Sequence, residues 1–118
     1  MWDFYNMLTI NMNFIKGILF VRLKGILNGD TSIMLNNKLY NMVTENGVKY
    51  ILLNLDDVTY VDKYGVDVII KNYIEVNQNK GKFIIVGINK LFLNDRKCIA
   101  NNLYQINNES KVFDLVNL

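Results

Sequence analysis

Histidine and proline are absent from this 118-residue chain, and cysteine occurs once, as Cys98. Without histidine, the usual general base near neutral pH and the commonest zinc ligand are missing. Without proline, turns fall to glycine and asparagine. A lone cysteine closes no internal disulfide, which fits a reducing compartment, so a cytoplasmic location is expected. Long apolar runs are missing too. The longest are about six residues, against roughly 20 needed to cross a bilayer, so no membrane insertion is expected. The opening MWDFYNMLTIN carries an acid and no basic residue, unlike a secretory signal peptide. The formal net charge is only +2, and lysines and arginines are scattered without a stripe or interleaved aromatics. Nucleic acid is therefore not an expected partner. No GxGxxG, P-loop, HExxH, Cys/His or Ser/His arrangement occurs. The expectation is a protein that is not an enzyme and that uses no metal and no other cofactor.

Apolar residues make up 51% of the chain and charged residues 20%, the balance of a folded domain rather than a disordered one. The length suffices for one core without a disulfide or metal staple. Residues 1–7 form an aromatic arm with Trp2, Phe4 and Tyr5, laid on the first strand or offered to a partner. Residues 8–118 form a single domain. Leu8 to Ile15 alternates, Lys16-Gly17 is a turn dipeptide, and Ile18 to Lys24 alternates again, which predicts a β-hairpin. Asp30, Thr31 and Ser32 are N-cap types ahead of Leu35, Leu39, Met42 and Val43, the stripe of one helical face, and Gly47 stops it. Tyr50 to Leu55 is a buried strand. A connector from Val58 to Val61 then leads to a second helix over about Tyr64 to Asn79, with Gly81 suited to a left-handed cap. Lys82 to Ile88 is a further buried strand. A short helix over Asn94 to Asn101, a strand over Leu103 to Ile106 and a last helical face with Val112, Leu115 and Val116 complete the chain. The order β-β-α-β-α-β-(α)-β-α implies an α/β fold, a mostly parallel sheet with one antiparallel edge and right-handed crossovers.

The informative stretch is Tyr50 to Tyr73, YILLNLDDVTYVDKYGVDVIIKNY, because function concentrates where a buried strand hands over to a helix. Asp56 and Asp57 form a carboxylate pair as in a phosphoacceptor receiver, but such a pair follows the first strand there and the third strand here. The plainer reading has one acid capping backbone and the other solvated. Asp62 suits the N-cap of the second helix, worth ~0.5–2 kcal/mol. Lys63 opposes the helix dipole by ~0.3–1 kcal/mol, so either a nearby aspartate neutralises it or a partner uses it. Tyr60 and Tyr64 suit packing or an interface, and Gly65 allows a close backbone approach.

This stretch resembles the signature of the STAS domain, specifically of bacterial anti-sigma factor antagonists. In that family a strand ending in Asn-Leu is followed by an acidic connector, an aromatic residue, and Asp-Ser-Ser/Thr-Gly-Leu opening a helix. The matching positions are Asn54, Leu55, Asp57, Tyr60, Asp62, Gly65 and Val66. The flanks VRLKGILNGDTS and NKGKFIIVGI are similar to the family's second strand with its turn into the first helix and to its fourth strand. The resemblance covers Leu8 to Leu118. It implies a STAS-like mixed sheet of about four or five strands, with an N-terminal hairpin and about four helices on one side. It also implies a signalling module of transcription regulation that docks an anti-sigma factor or kinase-like regulatory protein, with a homo-oligomer compatible with that role. The expected partner-binding residues are Asp57, Tyr60, Asp62, Lys63, Tyr64, Gly65 and Asp67. Family members accept phosphate on the first serine of the motif, whose charge breaks the interface. Here that position is Lys63, followed by Tyr64, so no phosphorylation is expected at residue 63. The alternative implied function is a STAS-like subunit of a stress-signalling or lipid-transport assembly, in which the aromatic arm matters more.

Overall fold

The computed structural model describes residues 7–87 and 103–116. The two alternating segments become β1 (Leu8–Ile15) and β2 (Ile18–Leu27), paired antiparallel and joined by Lys16 and Gly17. Both turn residues have positive φ, 51° and 83°, as a two-residue hairpin loop requires. Next come α1 (Gly29–Thr44), β3 (Tyr50–Val61), α2 (Lys63–Gln78), β4 (Lys82–Val86) and the short β5 (Gln105–Ile106). A 3-10 turn (Glu109–Lys111) and a four-residue helix, α3 (Val112–Leu115), end the described chain. The sheet runs β1-β2-β3-β4-β5, with every pair after the hairpin parallel. The mixed five-stranded sheet with an N-terminal hairpin matches the sequence expectation.

The consecutive apolar runs at residues 18–21, 51–53 and 83–86 need cover on both faces. Leu19, Val21 and Leu23 of β2, Ile51, Leu53 and Leu55 of β3, and Phe83 and Ile85 of β4 form one cluster with Leu35 and Leu39 of α1 and Val66, Ile69 and Val76 of α2. The residues between them, Ile18, Phe20, Leu52, Ile84 and Val86, form a second cluster with Val112 and Val116. Thus α1 and α2 share one side, as expected for the helices, while α3 lies across the other.

Several local expectations shift. The cap of α1 is Asn28, ahead of the three candidates: its side chain accepts from the Asp30 and Thr31 amides, and Thr31 Oγ1 accepts in return from the Asn28 amide. Asparagine fills this role as well as aspartate or serine. After α2 the positive φ, 66°, belongs to Lys80, not Gly81. Gly81 is required for another reason: a Cβ there would collide with the Lys49 carbonyl. The largest change is that the expected connector Val58 to Val61 is strand. β3 continues to Val61 because β2 also runs on, to Leu27, and pairs with it through two register shifts. The aromatic arm (apart from Met7), the short helix expected over 94–101, Ile88 and Cys98 lie outside the described residues.

Candidate functional site

β3 outlasts β4. Its pairing with β4 ends at Asn54↔Val86, whereas its pairing with β2 continues to Leu27↔Val61. The last residues of β2 and β3 therefore form a ribbon beyond the end of β4, flanked on the β2 side by the start of β1, and it carries the chain into α2. Val58 and Val61 are buried along it, and Asp56, Asp57, Thr59 and Tyr60 are exposed. Thr59 Oγ1 donates to the Gly25 carbonyl at 3.2 Å, and the Asp62 amide donates to the Leu27 carbonyl at 3.0 Å. These bonds tie both ribbon edges to one another directly before the helix.

The entrance to α2 is fixed at two points. Asp62 is the N-cap, and its Oδ1 accepts from the Gly65 amide at 3.0 Å. Gly65 is buried, and a Cβ there would lie 2.9 Å from both the Leu27 side chain and its carbonyl oxygen, and 3.0 Å from Val61 Cγ1. Its absent side chain lets the helix start sit on the end of β2. Gly65 thus acts by position and offers no side chain to a partner.

On this frame stand the exposed groups. Tyr60 is 56% exposed and Tyr64 53%. Tyr64 lies beside Gly29 at the start of α1, where its ring edge would be 3.6 Å from a Cβ on that glycine. Lys63 is exposed, with its Nζ 5.1 Å from the centre of the Tyr64 ring. At the end of the helix where its charge is disfavoured, Lys63 makes this cation–π contact. Asp57, paired in register with Lys24, and Asp67 are also exposed. The surface is therefore two tyrosines and one lysine among aspartates. The two hollows of about 290 Å³ elsewhere, one between Val43, Val48, Val76 and Gly81 and the other between Phe14, Leu19, Met42 and Val48, involve none of the candidate residues. Among the described residues no group of three or more His, Cys, Asp or Glu side chains is placed to hold a metal ion.

Below the ribbon lies a cluster the sequence reading did not single out. Glu109, from the C-terminal 3-10 turn, accepts two parallel bonds from Arg22 (Nε to Oε2 and Nη2 to Oε1, both 2.8 Å) and a third from Asn54 Nδ2 at 2.7 Å. Asn54 Oδ1 accepts in turn from the Asp56 amide at 2.9 Å. The bond from Arg22 holds the Glu109 carboxyl below the usual carboxylate range, and the bond to Glu109 raises Arg22. A signal for it existed. Arg22 and Asn54 are the polar interruptions of two apolar strands, and they are register partners. The distant Glu109 could not be paired with them from spacing.

This arrangement defines a class: an α/β domain whose strand-to-helix entrance is anchored by an N-cap and a buried glycine. The chain belongs to the STAS domain family, whose model matches residues 9–93. It is 30% identical over 82 residues to an anti-sigma F factor antagonist of Paenibacillus polymyxa, covering 70% of each chain. Its fold is also that of a candidate anti-sigma factor antagonist from Thermotoga maritima, with a TM-score of 0.80 at 15% identity, covering 92% of this chain and 95% of that one. SpoIIAA, the Bacillus cell fate determinant, solved in its phosphorylated form, superposes with a TM-score of 0.71 at 16% identity, covering 92% of this chain and all of that one. No helix among the described residues is long and apolar enough to cross a membrane.

Proposed function

We propose that this chain is a non-enzymatic, cytoplasmic interaction module of the anti-sigma factor antagonist type. It docks an anti-sigma factor or kinase-like regulatory protein through the end of β3 and the start of α2. The observation that carries this reading is the combination at α2 of a helix entrance immobilised by Asp62 and Gly65 with exposed Tyr60, Lys63 and Tyr64 directly on it. Exposed aromatics on a rigid frame lose little entropy on binding and suit an interface centre. Asp57, Asp62 and Asp67 supply the surrounding charge that favours one partner orientation over another.

The module works without the serine phosphoswitch. Lys63 stands where the family motif places its phosphoacceptor, and an ammonium cannot take that role. The Tyr64 hydroxyl stands further from the backbone than a serine hydroxyl would. Docking is then constitutive. A pull-down with the cognate ATPase-fold partner tests the surface: Lys63→Glu and Tyr64→Ala should each lower affinity, and unchanged affinity in both would misplace the site. Incubation with the cognate kinase and ATP should leave residue 63 unmodified by mass spectrometry. Phosphate on Thr59 or Tyr64 would reinstate a switch.

A further inference from the structure

β1 is the terminal strand of the sheet on the hairpin side, and among the described residues nothing pairs with its outer edge. Its register with β2 is unbroken from Leu8↔Gly25 to Ile15↔Ile18. The Ile26 amide donates to the Met7 carbonyl, so residue 7 directs its backbone groups at β2. By alternation, Thr9, Asn11, Asn13 and Ile15 do the same, and Leu8, Ile10, Met12 and Phe14 direct N–H and C=O outward. Natural edges are usually blunted by lysine, proline or a bulge. This strand, LTINMNFI, has no charged residue, no proline and no register shift.

We propose that the β1 edge is a self-association surface whose occupant is β1 of a second copy of this chain, antiparallel about a two-fold axis. Side-chain alternation restricts the register, since opposed residues must share a face of the joined sheet. With Asn11 opposite Asn11 of the second copy, Leu8 meets Phe14 and Ile10 meets Met12 on the helix-covered side, while Thr9 meets Asn13 on the other. All four outward-directed residues then face outward-directed residues and exchange both backbone bonds. Shifting the axis to Met12 would set Leu8 against Lys16 and Thr9 against Ile15, apolar against polar in both cases. Phe14, 62% exposed in the single chain, gains cover from Leu8 of the other copy. The uncharged strand opposes no like charges to itself, so a second copy is a fitting occupant. A pairing from Leu8 to Phe14 buries less than the ~1,200 Å² of a standard stable interface, so the dimer is reversible. Leu8 lies at the ribbon end of the sheet, through Gly25 and Val58. The two α2 entrances therefore come to opposite ends of one continuous sheet, and both remain free for a regulatory partner.

Sedimentation of the full chain over a concentration series tests this independently of the docking surface. The unaltered chain should show a concentration-dependent dimer. Asn11→Lys and Asn11→Asp, both on the exposed face of β1, should each raise the dimer Kd several-fold, because each sets like charges opposite across the axis. Asn11 also faces Arg22 of its own chain, so melting should fall slightly for lysine and not for aspartate, whereas both variants should lose the dimer. An equimolar mixture of the two variants should associate at least as tightly as the unaltered chain. A chain that stays monomeric at millimolar concentration, or a mixture no tighter than either variant alone, would overturn the proposal. So would edge amides of Ile10 and Met12 that become protected from exchange only when the regulatory partner is added, since the edge would then belong to that partner.

Discussion

Two 16-residue helices lie over one face of the sheet, and a three-residue turn followed by a four-residue helix lies over the other. Beneath α1 and α2 the contact is broad and mostly apolar; the buried polar residues there are Thr31 in the cap, Asn72, which bonds to Asn36 of α1 and to the Val68 carbonyl, and Ser32, whose buried hydroxyl finds no partner among the described residues. On the other face, among the described residues, the cover contributes Val112 and Val116 to the buried cluster, and Glu109 adds three directional bonds to Arg22 and Asn54. Burial works without direction and grows with area, so a broad cover needs little else. A cover of a few residues buries too little to hold its place and relies on charge-assisted bonds.

Adjacent residues of β3 make this contrast measurable. Leu52 and Leu53 are both fully buried, and they point to opposite faces. Truncation to alanine costs the transferred methyls plus whatever cavity persists. Under two long helices the cavity persists, so Leu53→Ala should cost ~3–5 kcal/mol in urea unfolding. Under the short cover the structure can settle, so Leu52→Ala should cost nearer ~2–3 kcal/mol. Equal costs would break the comparison.

The rigidity of the helix-covered face reaches the candidate site through Gly65. Alanine there meets the Leu27 carbonyl, which β2 pairing holds in place. Gly65→Ala should therefore destabilise by ~1–3 kcal/mol, read by thermal or urea unfolding. It should also weaken partner binding by displacing the helix entrance. A loss of binding with unaltered stability would mean instead that the glycine backbone itself is contacted.

The weaker cover should be acid-sensitive. The folded pKa of Glu109 is lowered, so its contribution is fully present above the unfolded carboxylate pKa and is lost as pH falls through the folded value. The protection factors of the Val112 and Val116 amides, corrected for the intrinsic slowing of exchange in acid, should therefore fall on acidification before the helix-covered strands open. Glu109→Gln should remove that pH dependence at a cost of about 1 kcal/mol, discounted because Arg22 is more than one-third exposed. Persistence of the same acid loosening in the variant would assign it elsewhere.

How much of this was legible follows the range of the forces. The hairpin turn, the Asp62 cap, the α2 stripe and the alternation of buried strands depend on neighbours within a few residues, and all were readable. The ribbon was not. Asp56, Asp57 and Thr59 look like loop residues, and only β2 pairing makes them strand, because backbone bonds across strands are indifferent to side-chain polarity. The Glu109 clamp was hidden for a related reason: its bonds span 55 and 87 residues of sequence. The ring of Tyr64 beside Lys63 was not foreseeable either, because sequence does not fix which neighbour a flexible lysine folds onto.

That ring leads to the smallest stability effect and the sharpest separation of folding from function. Lys63 sits in the first turn of α2, where a negative charge would be favoured by ~0.3–1 kcal/mol. Lys63→Glu gains that term and loses the contact with Tyr64, worth ~0.5–1 kcal/mol at an exposed site. The two nearly cancel, so unfolding should shift by less than ~0.5 kcal/mol in either direction. The proposed docking role would explain a residue whose replacement is neutral for the fold and which sits against the local dipole. The same variant should therefore lose partner affinity while melting as before. A clear rise in stability without loss of binding would make Lys63 a tolerated imperfection of the helix start and would move the docking surface back along the ribbon toward Tyr60.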